Sequence, residues 1–402
     1  MMKKILILHP YRESYTNVLS CLSEIHQYTI LIDESKKESF SNLSLKNIEI
    51  ATVINYQINC RTKAEELLSN NHFAAIIALD EFDVMLAAEL REKYQIDGQN
   101  LSEAVVFRDK NMMTKRVKEL GFRIPESQEV TKFSEFKAFL NKYNDIIVKP
   151  LSGAGSVDTF RVQHTDDITE LDSKLFGKEE KFLVQEYIDK DIYHIDGFVS
   201  NGEVIYCEPS KYLYNPLLIK KGISAAAISL DRDSIDSQKL VDYATSLSTK
   251  LYPRGTFLFH LEVFYDLTDI IFLEIACRVG GARIRQNLEY KFGYSPYKLL
   301  IDSISGLQLP ELPEKYTNTA WLLTAKRDGR IIELPNITEA IKQEFSIFDS
   351  IEYVKIGQQL NRAFHSADAV IGVSLSGENF KETEKILLSA EKWLLKHTRY
   401  DL

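Results

Sequence analysis

The stretch Phe257–Arg278, FLFHLEVFYDLTDIIFLEIACR, decides the fold because it holds two apolar segments on either side of a short polar turn, Asp266–Asp269. This pattern predicts two antiparallel strands joined as a hairpin. Side chains alternate between the faces of a strand, so each strand is expected to carry charged and apolar side chains on one face. These faces hold His260, Glu262 and Phe264 on the first strand, and Phe272, Glu274, Ala276 and Arg278 on the second.

The two glutamates of this hairpin, Glu262 and Glu274, are the first candidates for chemistry. If they lie opposite each other, the pair is costly unless a cation lies between the two carboxylates. Carboxylate oxygens without a Cys or His cluster suit Mg²⁺, which usually also binds substrate phosphates. The alternative is that one glutamate forms a structural salt bridge with Arg278 while the other faces solvent. The pattern alone does not separate the two interpretations.

The first hundred residues read as an α/β module. Apolar strands are predicted at Lys3–Leu8, Tyr28–Asp33 and Phe73–Leu79, with helical stretches between them. This alternation implies right-handed crossovers and an open parallel sheet. Asp80 and Glu81 end the third strand, where such acids either face a ligand crevice or cap the following helix.

A second module contains a helix and a strand that each carry a lysine. Asp109 is expected to cap a helix that begins at Lys110, and Gly121 is expected to end it. In the predicted strand Ile146–Pro150, Lys149 is the last residue before the proline, and the small-residue loop Ser152–Ser156 follows. Such a loop can bind phosphate through backbone N–H groups, but it can also be an ordinary turn. Lys110 likewise has an alternative, as an exposed lysine in a local ion pair. No P-loop motif occurs.

Later hairpins and a terminal helix complete the predicted elements. Asn201–Gly202 is a strong turn signal between Ile195–Val199 and Val204–Tyr206. Asp328–Gly329 is expected to join Trp321–Arg327 to Arg330–Leu334 in a further hairpin. The sequence 379–397 is amphipathic and predicts a helix.

The composition excludes several classes of protein. The chain has 402 residues, of which 45% are hydrophobic and 27% charged, with a net charge of −9. This balance indicates a soluble globular protein and disfavours nucleic acid as a partner. The four cysteines have no metal-binding spacing, and no apolar run is long enough for export or for a membrane span. A cytoplasmic protein with reduced thiols and no membrane partner is expected.

The order of these motifs resembles the ATP-grasp superfamily, and the resemblance covers roughly residues 75 to 305. The motifs that carry it are Arg-Asp-Lys110, Val-Lys149-Pro with its Ser/Gly loop, Gln185-Glu186-Tyr187-Ile188, His260-Leu-Glu262 and Glu274-Ile-Ala-Cys-Arg278-Val-Gly280-Gly281. The segment after 307 is more loosely similar to the C-terminal domain of ATP-grasp amino-acid ligases. The resemblance implies three modules: a parallel α/β pre-grasp domain at 1–100, a two-lobed grasp domain with antiparallel sheets at 101–306, and an α+β domain at 307–402.

The resemblance also implies roles for individual residues. Lys110 and Lys149 would contact the α- and β-phosphates of ATP, and Ser152, Gly153, Gly155 and Ser156 would cover the triphosphate. Glu186, Tyr187 and Ile188 would form the adenine hinge, while His194 and Asp196 would touch ribose or phosphate unless they are ordinary surface polar groups. Glu262 and Glu274 would bind Mg²⁺, for which Mn²⁺ can substitute. Arg278 would act catalytically with Lys149 and His260, and Gly280, Gly281, Arg283 and Arg285 would bind substrate unless they form only the basic start of a loop.

The implied reaction is ATP-dependent ligation, in which a small carboxylate, expected to be an amino acid, becomes an acyl phosphate and then joins an amine. One departure from the usual Glu-x-Asn-x-Arg pattern is Ala276, which removes an oxygen ligand and puts a second metal ion in doubt. Two alternatives stay open: acyl transfer to the thiol of a carrier protein, and a non-catalytic nucleotide-binding scaffold, which Ala276 favours. The sequence leaves the oligomeric state open, with a homodimer as one alternative.

Overall fold

The computed structural model describes residues 2–41, 46–153, 155, 157–166, 168, 181–313, 317–365 and 368–401. Within these ranges the strands form four sheets, one parallel and three antiparallel. The expected combination of a parallel α/β module with antiparallel sheets is confirmed. No helix in the described ranges is long and apolar enough to cross a membrane. All four cysteines are free thiols.

The N-terminal sheet has the order β3-β2-β1-β4, with every neighbouring pair parallel. Its strands are β1 (Lys4–Leu8), β2 (Gln27–Asp33), β3 (Ile48–Val53) and β4 (Ala75–Ala78). The helices α1 (Glu13–Thr16) and α2 (Tyr56–Asn70) connect them, together with 3-10 turns at Val18–Cys21 and Glu34–Phe40, and α3 (Asp83–Tyr94) follows the last strand. Strand β3 was not predicted because it lies at the sheet edge, where polar residues interrupt the apolar run.

The second sheet is antiparallel, with the order β5-β8-β6-β7. It consists of β5 (Ser127–Val130), β6 (Asp145–Pro150), β7 (Phe160–Gln163) and β8 (Phe182–Glu186). The helices α4 (Leu101–Val105) and α5 (Lys110–Glu119) precede it, and α6 (Phe133–Tyr143) packs on one face through its buried Phe136 and Leu140. Asp109 caps α5 as predicted, since its side chain accepts hydrogen bonds from the N–H groups of Asn111 and Met112.

The large sheet has eight described strands in the order β13-β12-β9-β10-β11-β14-β18-β16. The first five in chain order are β9 (Asp191–Ser200), β10 (Glu203–Tyr212), β11 (Ala225–Ser229), β12 (Phe257–Tyr265) and β13 (Ile270–Ala276). The strands after residue 307 are β14 (Asn318–Ala325), β15 (Gly329–Glu333), β16 (Ile347–Glu352), β17 (Gln359–Leu360), β18 (Ala369–Gly377) and β19 (Arg399–Asp401). The turn at Asn201–Gly202 is confirmed, with φ values of 51° and 86°.

The predicted hairpin across Asp328–Gly329 is wrong. Strand β14 pairs with β11 and β18 in the large sheet, whereas β15 pairs with β17 and β19 in a separate three-stranded sheet. The turn residues end one strand and start another, but the chain changes sheets between them. Because β11 pairs directly with β14, the segment after 307 continues the large sheet of the preceding module.

The remaining helices cover the large sheet and supply its cores. They are α7 (Ile235–Leu251), α8 (Ile284–Phe292), α9 (Pro296–Ser305), α10 (Glu339–Glu344) and α11 (Phe380–Lys396), with a 3-10 turn at Pro216–Lys221. Helix α7 packs on β9 and β10 and buries Leu240 and Leu247, and α11 buries Leu387 and Leu394 against the strands after 307. Burial of these faces removes apolar surface from water and holds the sheet in place.

A bulge in the hairpin of β12 and β13 changes which side chains share a face. Glu262 pairs with Glu274 as predicted, but the next pair is Val263 with Phe272, so Leu273 is the extra residue. A bulge of this kind reverses the alternation of side chains beyond it. Phe272 therefore packs in the core with Val263 and not on the face of Glu274, which corrects the expectation from the simple period of two.

Candidate active site

A cavity of about 340 Å³ lies between the small antiparallel sheet, the β12–β13 hairpin and the end of the parallel sheet. Strands from the small and the large antiparallel sheets contribute to its wall, together with the segments that follow β1 and β4 of the parallel sheet. The predicted site residues in the wall are Lys110, Lys149, Gly153, Gly155, Glu186, Tyr187, His260, Glu262, Glu274, Arg278, Gly280 and Gly281. Ser152 is exposed and lies outside the wall, and Ser156 is outside the described residues.

Both lysines are buried in this wall. Lys110, in the first turn of α5, places its Nζ 2.9 Å from Oε1 of Glu274 and donates to the carbonyl oxygen of Gly153 at 2.9 Å. Its ammonium therefore links β13 to the loop after β6, and it is not the exposed lysine of the alternative reading. Burial and the charge of Lys110 lower the pKa of Lys149 to about 8.

The two glutamates face each other across the hairpin. The hydroxyl of Tyr212 donates a hydrogen bond to Oε1 of Glu262 at 2.7 Å, and Nε2 of His260 lies 3.6 Å from the same oxygen. Burial alone would raise the pKa of Glu262, but the hydrogen bond and charge of His260 lower it to about 2. Within the described ranges neither glutamate forms an ion pair with Arg278, so the structural salt bridge considered from the sequence is not what the structure contains.

His260 is held from behind by a buried carboxylate. Oδ1 of Asp196 lies 3.0 Å from Nδ1 of His260, and Oδ2 lies 2.7 Å from Nδ1 of His194. Burial would lower the pKa of His260, but the charge of Asp196 raises it to about 10, so the imidazole is a cation at neutral pH. The N–H of Gly280 donates to Oδ1 of Asp196 at 3.3 Å, and a Cβ at this glycine would lie 2.6 Å from Nδ1 of His260.

This arrangement corrects the expectation that His194 and Asp196 touch nucleotide. Each is 2% exposed and lies behind His260, outside the wall of the main cavity. The three side chains are of metal-binding types and lie close together. Because the Nδ1 atoms of both histidines face the Asp196 carboxylate, we interpret the group as a hydrogen-bond network that orients His260.

Arg278 is paired with a residue of the N-terminal module. Its Nε and Nη2 lie 2.7 and 2.5 Å from Oε2 of Glu81, whose other oxygen is paired with Arg108. Burial would raise the pKa of Glu81, but the charges of Arg278 and Arg108 lower it. Glu81 and its neighbour Asp80 both line the cavity, as the crevice reading of this strand end anticipated. Asp80 also caps the following turn, because it accepts a hydrogen bond from the N–H of Phe82.

Apolar side chains form part of the wall and were missed at the sequence level. Ile147 of β6 lines it, as do Ile192, Phe264 and the bulge residue Leu273. A buried aliphatic or aromatic residue in a strand usually indicates core, so no signal in the sequence separates these residues from packing. They give the cavity a surface suited to a flat apolar ring.

The expected hinge of Glu186, Tyr187 and Ile188 is only partly placed in the wall. The N–H groups of Glu186 and Tyr187 donate to the carbonyl oxygens of Glu126 and Asp145 at 2.9 and 3.0 Å. Ile188 is not among the lining residues, which corrects its expected contact. The ring of Tyr187 is instead fixed from outside, because the Arg161 guanidinium stacks 3.6 Å from its centroid.

The two arginines expected to bind substrate do not line the cavity. Arg283 is 3% exposed and pairs with Asp349 of β16, and Nη1 of Arg285 lies 2.6 Å from Oε2 of Glu289. Helix α8 begins at Ile284, whose side chain lines the cavity, whereas the arginines on either side of it are held by Asp349 and Glu289. Of the four residues expected to bind substrate, Gly280 and Gly281 line the wall and the two arginines do not.

The cavity therefore combines two ammonium groups, two facing carboxylates, a guanidinium and an apolar slot. Cationic groups from two sheets suit the oxygens of a polyphosphate, and the paired carboxylates suit a divalent cation bound to it. The fold and this site have the features expected of the ATP-grasp class.

Comparisons with known proteins agree with this class. Residues 112–207 match the model of the ATP-grasp domain of prokaryotic glutathione synthetase. The chain is 27% identical over 243 residues to the L-arginine-specific L-amino acid ligase of Bacillus subtilis, a match that covers 57% of each chain. It thus spans little more than half the length of that relative.

Solved structures share the whole fold at low sequence identity. The L-amino acid ligase from Bacillus licheniformis superposes with a TM-score of 0.75 at 14% identity, covering 100% of this chain and 99% of that one. The biotin carboxylase domain of Hydrogenobacter thermophilus 2-oxoglutarate carboxylase, solved with the magnesium salt of ADP, gives 0.67 at 16% identity, covering 100% and 91%. The expected three-module ATP-grasp architecture is confirmed.

Proposed function

We propose that this protein is an ATP- and Mg²⁺-dependent ligase that activates the carboxylate of a small acid and joins it to an amine. The proposed acid is an amino acid. The observation that carries the proposal is the convergence of Lys110, Lys149, Glu262, Glu274 and Arg278 on one cavity. The similarity to an amino-acid ligase over more than half of the chain supports the same reaction class.

In this proposal ATP lies with its base in the apolar slot and its phosphates along the lysines. The side chains of Ile147, Phe264 and Leu273 contact adenine, and the ring of Tyr187, held by Arg161, closes the slot. Lys110 and Lys149 bind the phosphates, with Gly153 and Gly155 covering them. Each ammonium favours bound phosphate because the surrounding protein excludes water and strengthens the attraction.

The residues present fit a magnesium ion bound between Glu262 and Glu274. The lowered pKa of Glu262 keeps this carboxylate ionised, and the hydrogen bond from Tyr212 holds one of its oxygens in place. With Ala276 in the third position, these two glutamates are the protein ligands that would hold the ion, and their carboxylate oxygens are of the type that Mg²⁺ prefers. When bound, the ion offsets charge on the phosphates as phosphoryl transfer proceeds.

The chain's own groups bind and orient the reactants. An oxygen of the substrate carboxylate attacks the γ-phosphorus and ADP leaves, which gives an acyl phosphate. The amine then attacks the acyl carbon, and phosphate departs with formation of the amide and loss of a proton. Arg278, held by Glu81, offsets charge on the transferring phosphoryl oxygens, and the cationic His260 keeps Glu262 deprotonated.

Release of ADP across panels of carboxylates and amines tests the proposal. The wild type should turn over with at least one pair, and Glu274→Ala should lower ADP release by about 100-fold or more because one metal ligand and the partner of Lys110 are lost. Glu333→Gln, which removes a carboxylate from an exposed strand, is the matched control and should retain activity. Equal ADP release from wild type and Glu274→Ala would end the ligase proposal.

The same assay separates the alternatives. A thioester product formed on a carrier protein, in place of an amide, would identify the thiol-transfer reaction. Tight ATP binding by calorimetry without hydrolysis in any substrate mixture would identify a scaffold. The described residues favour catalysis over the scaffold, since both lysines, both glutamates and Arg278 lie in the same cavity.

A further inference from the structure

The carboxylate of Asp80 lines the cavity and has no role in the proposed phosphoryl chemistry. Asp80 follows β4 and is 4% exposed. Its Oδ1 accepts a hydrogen bond from the N–H of Phe82 at 2.8 Å, and its Oδ2 accepts one from the hydroxyl of Tyr11. Both donors are neutral. In the part of the chain that the structure describes, no Lys, Arg or His nitrogen forms an ion pair with this carboxylate.

The neighbouring carboxylate shows what a buried acid needs for stability. Glu81 is paired with both Arg278 and Arg108, and its charge is thereby neutralised. A buried carboxylate that lacks a cationic partner pays a desolvation cost that hydrogen bonds from neutral donors only partly offset. Asp80 lies near these charges but forms no direct ion pair with them in the described ranges, so its carboxylate is open to a cationic partner from outside the chain.

Two basic side chains of this region, Arg278 and His9, form their hydrogen bonds with other groups. Arg278 directs Nε and Nη2 to Glu81 and donates from Nη1 to the carbonyl oxygen of Val279 at 2.9 Å. His9, whose ring lies 6.3 Å from that of Tyr11, has its pKa lowered by burial to about 4 and is neutral at pH 7. The charge of Asp80 contributes to the raised pKa of Arg278, so the two groups attract each other, but within the described residues neither Arg278 nor His9 forms an ion pair with the Asp80 carboxylate.

Aromatic rings surround the same part of the cavity. Tyr11, Tyr15 and Tyr297 line the wall with Asp80, and the rings of Tyr11 and Tyr15 lie 4.6 Å apart. The face of an aromatic ring attracts a cation, and the Arg108 guanidinium 5.3 Å from the ring of Phe82 is an instance in this region. A carboxylate beside such rings suits an ammonium or guanidinium group with an organic body.

We propose that Asp80 is a specificity-determining residue that binds a positively charged nitrogen of the amino acid whose carboxylate is activated. This inference rests on the proposed ligase function and assigns its carboxylate substrate to the class of cationic acids. The charged nitrogen is either the α-ammonium group or a cationic side chain such as guanidinium. A neutral analogue leaves the buried Asp80 unpaired and is rejected for that reason.

The test measures ADP release with hydroxylamine as a fixed amine, so that only the carboxylate substrate varies. L-Arginine is compared with L-citrulline, which lacks the side-chain charge, and with 5-guanidinopentanoate, which lacks the α-amino group. The same comparison is made for the best substrate of an amino-acid panel and its desamino analogue. We expect the wild type to discriminate against at least one neutralised analogue by about 10- to 100-fold in kcat/KM.

The variants then assign this discrimination to Asp80. Asp80→Asn should abolish the discrimination between charged and neutralised acids by lowering kcat/KM for the charged substrate. The analogue against which the wild type discriminates, L-citrulline or 5-guanidinopentanoate, identifies which nitrogen is bound. Tyr11→Phe, which keeps the carboxylate but removes one hydrogen-bond donor, should weaken it several-fold. Asp233→Asn removes a charge from an exposed turn and is the control. Thermal melting checks that each variant is folded.

The outcomes distinguish this inference from the function on which it rests. If the wild type releases no ADP with any acid, the proposed ligase function fails. If it releases ADP but accepts both neutralised analogues as readily as the charged acid, the role of Asp80 is wrong and the ligase function stands. The role of Asp80 is equally overturned if Asp80→Asn and Tyr11→Phe retain the wild-type ratios.

Discussion

At the scale of single residues, the chemistry depends on charges held in a buried wall. Lys149 is 5% exposed, and its position near Lys110 suits it to bind phosphate. Burial and the charge of Lys110 at this position also lower the pKa of Lys149, which disfavours the charged ammonium form. A phosphate group removes this conflict because it favours the ammonium form. The pH dependence of ATP capture should therefore report on Lys149.

We predict that kcat/KM for ATP falls as pH rises above about 8, the lowered pKa of Lys149, by roughly tenfold per pH unit. The free protein loses the Lys149 proton there, and a neutral amine attracts phosphate poorly. Because the folded pKa lies below the unfolded value, the unfolded chain holds more protons above pH 8. The contribution of Lys149 to stability therefore rises with pH in this range.

The control variant for this pH profile is Lys149→Arg. A guanidinium stays charged throughout the range, so the variant should show a flat profile from pH 7 to 10 even if its absolute rate is lower. Steady-state kinetics at saturating carboxylate and hydroxylamine provide the measurement. A decline at the same pH in both proteins would assign the titration to another group.

At the scale of elements, the start of α5 positions Lys110. Asp109 caps the helix through its side chain, and the N–H of Lys110 donates to the carbonyl oxygen of Leu151 at 3.0 Å. The cap and this bond set the helix end against the loop after β6. The sequence contains the local signal for the cap. The hydrogen bond from Lys110 to Leu151 joins segments 41 residues apart, and no local pattern predicts it.

We predict that Asp109→Ala costs about 1 kcal/mol of stability and raises KM for ATP several-fold, because the first turn that carries Lys110 loosens. Ser234→Ala is the matched control, since Ser234 caps α7 through its side chain away from the cavity wall. It should cost a similar amount of stability and leave KM for ATP unchanged. Urea unfolding and ATP kinetics check both effects, and an equal rise in KM for the two variants would contradict a local role for the α5 cap.

At the scale of the whole molecule, one ion-pair cluster joins the modules. Glu81 follows the parallel sheet, Arg108 precedes α5 and Arg278 follows β13. All three side chains are mostly buried, so the cluster links the position of the N-terminal module to the end of the β12–β13 hairpin. Removal of the carboxylate leaves two guanidinium groups buried without their common partner.

We predict that Glu81→Ala lowers the free energy of unfolding by about 3 to 5 kcal/mol, the usual cost of breaking a buried ion pair. Activity should also fall, because Arg278 loses the group that orients it. Glu333→Gln breaks the exposed pair with Arg399 and should cost less than about 1 kcal/mol. Urea unfolding measures both, and equal stability losses would show that the Glu81 cluster is not a structural link.

The sequence by itself determined the local features of this protein. The apolar periodicity of β12 and β13, the cap at Asp109 and the turn at Asn201–Gly202 follow from backbone and side-chain preferences within a few residues. The order of the lysine, glutamate and arginine motifs was also sufficient to indicate the ATP-grasp class, because that order follows the succession of elements around the cavity.

The tertiary structure alone decided which side chains meet. The partner of Arg278 is Glu81, 197 residues away in the chain. The arginines at 283 and 285 turn from the cavity, β14 and β15 part into different sheets, and the bulge at Leu273 puts an apolar side chain beside Glu274. Contacts of this kind depend on sheet order, register and helix direction, which are set by packing between distant segments and leave no mark in the local pattern.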